Sequence, residues 1–258
     1  MSKSWIVSIT ITLVIILAGI IGMIIMHHQI PKNLDKPSTI LASGTENFKV
    51  NKDNIGEGTK ELKEIIQESQ KKVVKIELTN GSIGSGFLFN EKGDIVTNAH
   101  VVEGVKEVNI TTSDERMYDG VVIGISEDID VAVVRVEGLQ SKEPLKVQME
   151  KAEIGDEVLA LGSPLGLDNT VTNGIISGID RDLDLPPYHY ENIYQISAPI
   201  APGNSGGPLL DRKTGEVLGI NSAASDVGNI GFSIPITDVL SLIEGWVESP
   251  MTTLPGVD

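Results

Sequence analysis

The chain has 258 residues, 40% of them hydrophobic, and its 36 acidic against 20 basic side chains give a net charge of −16. Such acidity excludes a nucleic-acid binder, whose phosphate contacts need a basic face, and keeps the chain off anionic lipid except through a dedicated anchor. No cysteine is present, so disulfides are excluded and a hydrophobic core must carry the fold, which suits a bacterial extracytoplasmic protein.

Trp5 through Met26 is an uninterrupted 22-residue run without a charge, rich in Ile, Val, Leu and Thr. As a helix it would span about 33 Å, the thickness of a bilayer core. Met26-His27-His28-Gln29 offers no small-residue cleavage site of the kind that follows a secretory signal. Residues 1–26 are therefore expected to be a short cytoplasmic tail and an uncleaved single-pass transmembrane signal anchor, a cleaved signal being the alternative. Lys3 on one side against Lys32 and Lys36 on the other barely sets an orientation. A four-residue tail cannot hold a domain, however, and the acidic remainder is expected outside the cytoplasmic membrane. Residues 27–57, with Pro31, Pro37, Gly44 and Gly56 among polar residues, read as a linker that lets a domain over 58–258 stand off the membrane.

Within that domain, Glu61-Leu62-Lys63-Glu64-Ile65-Ile66-Gln67-Glu68 carries apolar residues at helical spacing and predicts a short amphipathic helix. Short apolar runs between turn signals then predict strands at Val73–Leu78, Gly86–Asn90, Asp94–Thr97, Glu107–Thr111, Tyr118–Ile125, Val131–Val136 and Leu145–Met149. A second set follows at Glu157–Leu161, Thr170–Ile179, Ile193–Ser197, Pro208–Leu210, Glu216–Asn221 and Gly231–Ile234. Around a dozen strands dividing near residue 150 predict an all-β fold of two six-stranded antiparallel barrels, at about 72–150 and 151–236. A terminal helix is expected over Asp238–Glu248, with Val239, Leu240, Leu242, Ile243 and Trp246 as its buried stripe.

Three short stretches carry chemistry. His100 follows Thr97-Asn98-Ala99 and precedes Val101-Val102 at the end of an apolar strand pattern, the only one of four histidines set so that its ring is aimed inward. In isolation it would be a satisfied structural histidine. Asp128-Ile129-Asp130 runs a carboxylate into the apolar strand Val131-Ala132-Val133-Val134, and a buried acid at a strand start needs a partner. Asp130 adjoins the apolar run; Asp128, two residues earlier, is its competitor on the same side. Finally, Gly203-Asn204-Ser205-Gly206-Gly207 puts a hydroxyl on a loop with almost no side-chain bulk. There the N–H groups of Gly203 and Ser205 can converge on a developing oxyanion. A serine hydroxyl is a weak nucleophile that needs a general base, and the base needs an acid to fix its tautomer. His100, Asp130 and Ser205 fill those roles.

In the order His, Asp, Ser, these stretches resemble the trypsin-like catalytic domain of the HtrA/DegP family. Further matches are Gly84-Ser85-Gly86-Phe87, Gly162-Ser163-Pro164-Leu165-Gly166-Leu167, Thr170-Val171-Thr172-Asn173-Gly174-Ile175, Gly219-Ile220-Asn221 and Gly231-Phe232-Ser233-Ile234-Pro235. The resemblance covers roughly residues 70–240 and implies a chymotrypsin-like double barrel with the site in the cleft between barrels. It implies a serine endopeptidase that needs no cofactor or metal, acting on misfolded or regulatory polypeptides, and a possible homotrimer to which the 61–68 segment contributes. It also implies that the loop Asp180-Arg181-Asp182-Leu183-Asp184-Leu185 borders the active site. A calcium reading of those aspartates fails for want of the glycine and distal glutamate of an EF-hand, and a solvated loop is expected.

The chain departs from the family upstream of the serine. Ser197-Ala198-Pro199-Ile200-Ala201-Pro202 lacks the usual Asp and Asn, and Pro199 stiffens the base of the specificity pocket six residues before Ser205. No acid lies there to pair with Lys or Arg. Ile200, with Asn221, Ser222, Ala223 and Ala224 opposite, suggests a small or medium apolar residue before the scissile bond; the plainer reading has these side chains filling the barrel. After Pro235 only about twenty residues remain, too few for the PDZ domain that usually follows the protease. Two other functions stay open: a catalytically silent, membrane-tethered module that holds unfolded chains in the cleft, and a different serine hydrolase such as an esterase. The α/β-hydrolase order, with acid and histidine after the serine, does not match this chain.

Overall fold

A computed structural model describes residues 61–162, 170–185, 188–201, 203–224 and 230–257. The transmembrane and linker readings of residues 1–57 lie outside the described residues. Among those described, no helix is long and apolar enough to cross a membrane.

The domain is all-β, two closed six-stranded barrels, as the strand count predicts. The first contains β1 (Val73–Glu77), β2 (Ile83–Leu88), β3 (Asp94–Thr97), β4 (Glu107–Thr112), β5 (Met117–Ser126) and β6 (Val131–Arg135), in the order β1-β2-β3-β6-β5-β4. The second contains β7 (Glu157–Gly162), β8 (Thr170–Leu185), β9 (Tyr188–Ile196), β10 (Pro208–Asp211), β11 (Val217–Ala224) and β12 (Gly231–Pro235), in the order β10-β11-β12-β9-β8-β7. Every pairing between these strands is antiparallel, and β1–β4 and β7–β10 contacts close the two barrels. Closure removes exposed sheet edges.

The continuous apolar runs have a physical reason. In β6, Ala132 and Val134 point into the first barrel with Ile76 and Ile110, while Val131 and Val133 point out to a cluster shared with Phe87 and Val96. In β7, Val158 and Ala160 fill the second barrel and Leu159 and Leu161 join that same shared cluster. Strands buried on both faces need no polar alternation. Each fully buried Ile or Leu in this seam contributes about 1.5–3 kcal/mol.

Among the described residues, three α-helices flank the barrels. α1 (Leu62–Gln70) buries Ile65, and α2 (Ala99–Val102) is a single turn directly after β3. α3 (Ile236–Glu248) buries Ile236, Val239, Ile243, Trp246 and Val247. Its apolar face is therefore rotated from the expected stripe, and Leu240 and Leu242 are only half-buried. Buried Asp94 clasps the Arg135 guanidinium at 2.7 and 3.0 Å, and the same guanidinium donates to the Val247 carbonyl at 3.0 Å. One ion pair thus fastens the end of α3 to β3 and β6.

Two further expectations change. Leu145–Met149 is not a strand. Leu145 is buried, but the segment makes only an isolated bridge, Val147 to Val217, and Met149 is largely exposed. It is the extended connection between barrels, tied by backbone hydrogen bonds to Leu88 on β2 and Val217 on β11. Conversely, Asp180–Leu185 is not a loop but the exposed continuation of β8, paired as Leu183 to Tyr190, Asp184 to His189 and Leu185 to Tyr188. Its aspartates face water. Register shifts around Gly178 and Arg181, with Asp180 at φ 50°, bend the hairpin without ending it.

Candidate active site

His100 lies on α2, where the chain leaves β3, and Asp130 immediately precedes β6, the neighbour of β3 in the sheet. That adjacency brings them together across 30 residues of sequence. His100 Nδ1 lies 2.9 Å from both carboxylate oxygens of Asp130, and the His100 backbone N–H donates to Oδ1 at 3.0 Å. An ionised carboxylate only accepts, so this contact places the imidazole proton on Nδ1 and leaves Nε2 with a free lone pair. Asp130 is fully buried, whereas Asp128 is exposed. The backbone of Asp130 has φ 58°, a left-handed conformation that Asp tolerates better than most residues. Asn98 Nδ2 holds it there by donating to the Asp130 carbonyl at 2.8 Å.

The second barrel supplies the remaining donors to that carboxylate. Tyr190 on β9 donates its hydroxyl to Asp130 Oδ2 at 2.8 Å, and Ser222 Oγ on β11 donates to the same oxygen at 2.7 Å, the two hydroxyl oxygens being 3.0 Å apart. A fully buried charge is tolerable only with its oxygens so satisfied. Burial first, then the Asp130 charge, raises the Tyr190 phenol well above its ordinary value, so it stays a donor. Tyr188, two residues back on the same side of the strand, lies with its ring centroid 5.9 Å from that of His100 and donates to Glu103 at 3.1 Å.

Ser205 sits on the loop entering β10, and that loop is docked onto the first barrel. Ser85 N–H donates to the Ser205 carbonyl at 2.8 Å, Ser85 Oγ to the Gly203 carbonyl at 2.5 Å, and Thr97 Oγ1 back to the Ser85 carbonyl at 2.6 Å. Gly203 and Gly206 have φ 102° and 84°, the region glycine enters without strain. At Gly206 a side chain is also excluded by space, because a Cβ would meet the Ser85 carbonyl oxygen at 2.1 Å and Thr97 Oγ1 at 2.2 Å. The Ser205 hydroxyl donates to the Ser222 carbonyl at 2.9 Å. Ser222 therefore touches the serine through its backbone and Asp130 through its side chain. Among the described residues no backbone carbonyl accepts from the amides of Gly203 or Ser205.

The residues expected at the specificity pocket fall into different settings. Ile200 is half-buried against the interior cluster of the second barrel. Asn221 is fully buried, and its Nδ2 donates to the Pro208 carbonyl at 3.0 Å, so its amide braces β10 against β11. Ser222 turns its hydroxyl to Asp130. The side chain of Ala223 lies outside the described residues. Asn98 and Ser85 lie inside stretches that mark the site in the sequence, although their bonds to Asp130 and to the Gly203 carbonyl could not be read there, and no motif points to Tyr190. The one available signal is the Tyr188-His189-Tyr190 alternation, which on a strand puts both tyrosines on one face.

The model of the trypsin-like peptidase domain matches residues 84–220, more than half of the chain. Protease Do-like 1 of the Arabidopsis thaliana chloroplast is 38% identical over 188 residues, 70% of this chain and 42% of the relative. The periplasmic serine endoprotease DegP of Escherichia coli is 38% identical over 173 residues, 65% of this chain and 36% of DegP. The chain thus spans about two fifths of the length of the relatives it matches. Among solved structures, HtrA-type protease AlgW with a tripeptide superposes with a TM-score of 0.67 at 31% identity, covering 73% of this chain and 64% of AlgW. The chain belongs to the trypsin-like peptidase domain family, and its relatives there are the HtrA/DegP serine proteases.

Proposed function

We propose that this chain is a serine endopeptidase that works through an acyl-enzyme, with Ser205 as nucleophile, His100 as general base and Asp130 as its orienting acid. The observation that carries the reading is the His100–Asp130 contact, formed beside a glycine loop that presents Ser205 from the opposite barrel. In the resting state the single Ser205 proton is given to the Ser222 carbonyl. Rotation about χ1 transfers it to His100 Nε2 as Oγ attacks the peptide carbonyl carbon. The N–H groups of Gly203 and Ser205 receive the oxyanion, each worth about 3 kcal/mol in comparable sites. As the C–N bond breaks, the imidazolium returns the proton to the leaving amine; water then repeats the sequence on the ester and frees Ser205.

Ile200 and the absence of an acid from Ser197 to Pro202 support cleavage after small or medium apolar residues rather than after Lys or Arg. The run Trp5–Met26 supports a single-pass anchor in the bacterial cytoplasmic membrane, with residues 27–57 as tether and the domain of 58–258 outside. DegP carries "periplasmic" in its name, which agrees with that side. The family resemblance supports misfolded or regulatory extracytoplasmic polypeptides as substrates and a homotrimer as the assembly to test.

Casein digestion tests the reading. The parent should degrade casein, and Ser205→Ala should be slower by at least three orders of magnitude. Equal rates would exclude Ser205 as the nucleophile.

A further inference from the structure

We infer that Tyr190 is a positioning residue of this active site, holding the Asp130 carboxylate, and through it the His100 imidazole, in register with the nucleophile of the second barrel. The inference rests on the proposed serine-protease mechanism and adds a residue to it.

The two halves of the site are built on different barrels. His100 and Asp130 stand on β3–α2 and β6 of the first, while Ser205, Ser222 and Tyr190 belong to the second. Proton transfer requires Nε2 and Oγ to meet with an error well below 1 Å, since misplacement on that scale costs about a hundredfold in rate. Something must therefore fix the carboxylate relative to the second barrel. Two hydroxyls do so, Tyr190 at 2.8 Å and Ser222 at 2.7 Å, both on Oδ2. Ser222 is the shorter strut, anchored next to Ser205 itself. Tyr190 comes from β9, on the far side of β12 in the sheet order, so the two struts fix the carboxylate from two independent strands.

The phenol suits this task. Tyr190 is 5% exposed and its rigid ring belongs to the buried cluster shared by the two barrels, so few rotamers are lost when it donates. A hydroxyl donor to a carboxylate forms a charge-assisted bond roughly twice as strong as a neutral one. It also draws charge away from the carboxylate. With Tyr190 in place, Asp130 orients the imidazole and supports the imidazolium without binding its proton so tightly that return to the leaving amine slows.

Removing the phenol hydroxyl therefore has two separable effects. Oδ2 loses one of its fixed donors, which loosens the carboxylate and lowers kcat. The remaining charge is less dispersed, which stabilises the imidazolium and raises the pH at which the base becomes active. Among the described residues, the other charged or titratable groups around the pair and Tyr190 include Glu103 beyond α2, Glu127 and Asp128 in the turn before Asp130, and Tyr188, His189 and Glu191 on β9. None of these changes in a Tyr190→Phe variant, so the pH shift reports the lost donor.

The full-length protein and Tyr190→Phe would be compared on a quenched-fluorescent peptide with Val before the scissile bond, with rates expressed per active site titrated by a fluorophosphonate. The variant should lose about tenfold in kcat with KM within about twofold. Its acid limb in kcat/KM should move up by about half a pH unit. An unchanged kcat, or a lower kcat with the acid limb unmoved, would overturn the inference and leave Tyr190 a packing residue. A parent that neither labels nor cleaves would instead overturn the underlying protease reading. Should the variant not fold, tyrosine hydroxyl protons in the ζ-13C-tyrosine-labelled parent serve as the second readout. A Tyr190 hydroxyl protected from exchange supports the bond to Asp130, and one exchanging freely with water refutes it.

Discussion

Gly206→Ala isolates how the nucleophile loop is held. Gly206 has φ 84°, and a Cβ there would lie 2.1 Å from the Ser85 carbonyl oxygen and 2.2 Å from Thr97 Oγ1. The left-handed backbone alone costs about 1–2 kcal/mol for an alanine. An ordinary carbon–oxygen contact is about 3.3 Å, so the loop must also withdraw from the first barrel by about 1 Å. That withdrawal pulls on the Ser85 bonds to the Ser205 and Gly203 carbonyls, which seat the loop. Overpacking adds a cost of about 1–3 kcal/mol, for a total of roughly 2–5 kcal/mol and a fall in Tm of roughly 4–20 °C at this domain size. A 1 Å displacement of Ser205 predicts about a hundredfold slower reaction with a fluorophosphonate. Gly155→Ala is the control, since Gly155 has φ 101° but nothing within 4 Å of a built Cβ. It should cost about 1–2 kcal/mol and leave the labelling rate unchanged. The assay is stopped-time labelling beside thermal unfolding followed by circular dichroism. A Gly206→Ala protein that labels within twofold of the parent would refute the argument that loop seating controls Ser205.

Arg135→Met leaves the Asp94 carboxylate buried without its cation and the Val247 carbonyl without its donor. It should destabilise the domain by about 3–5 kcal/mol, and adding Asp94→Asn should recover part of that loss in the same thermal assay. Tyr190 and Tyr194 both have phenol values raised by burial above the ordinary 10.0. The unfolded chain therefore loses these protons first, so their contribution is complete below about pH 10 and falls as pH rises beyond it. Urea unfolding between pH 8 and 11 should show an alkaline decline, and Tyr194→Phe should make it shallower.

The barrels were legible because local patterns and long-range packing agree. Val131–Val134 reads as a strand from its apolar run alone, and its two buried faces explain why that run does not alternate. His100 and Asp130 were legible for a related reason, each being a polar group set against an apolar strand end, where burial demands a partner. Tyr190 was not legible as part of the site. Its link to Asp130 depends on β9 of one barrel facing the β5–β6 turn of the other across 60 residues, and nothing in Tyr188-His189-Tyr190 encodes that distance. Asn221 shows the reverse failure. Its place beside Ser222 suggests a substrate contact, whereas a fully buried amide between β10 and β11 must bond to the backbone around it. The end of β8 was obscured by composition, because Asp180, Asp182 and Asp184 look like a loop until pairing with β9 fixes them as a solvated strand.

The proposed chemistry requires Ser205 to be the nucleophile. The most direct measurement is to react the full-length protein with a fluorophosphonate and map the adduct by mass spectrometry of its peptides. One phosphonate per chain is expected, on Ser205, with labelling slowed at least a hundredfold by His100→Ala. No adduct on the folded protein, or an adduct on another serine such as Ser85 or Ser222, would contradict it.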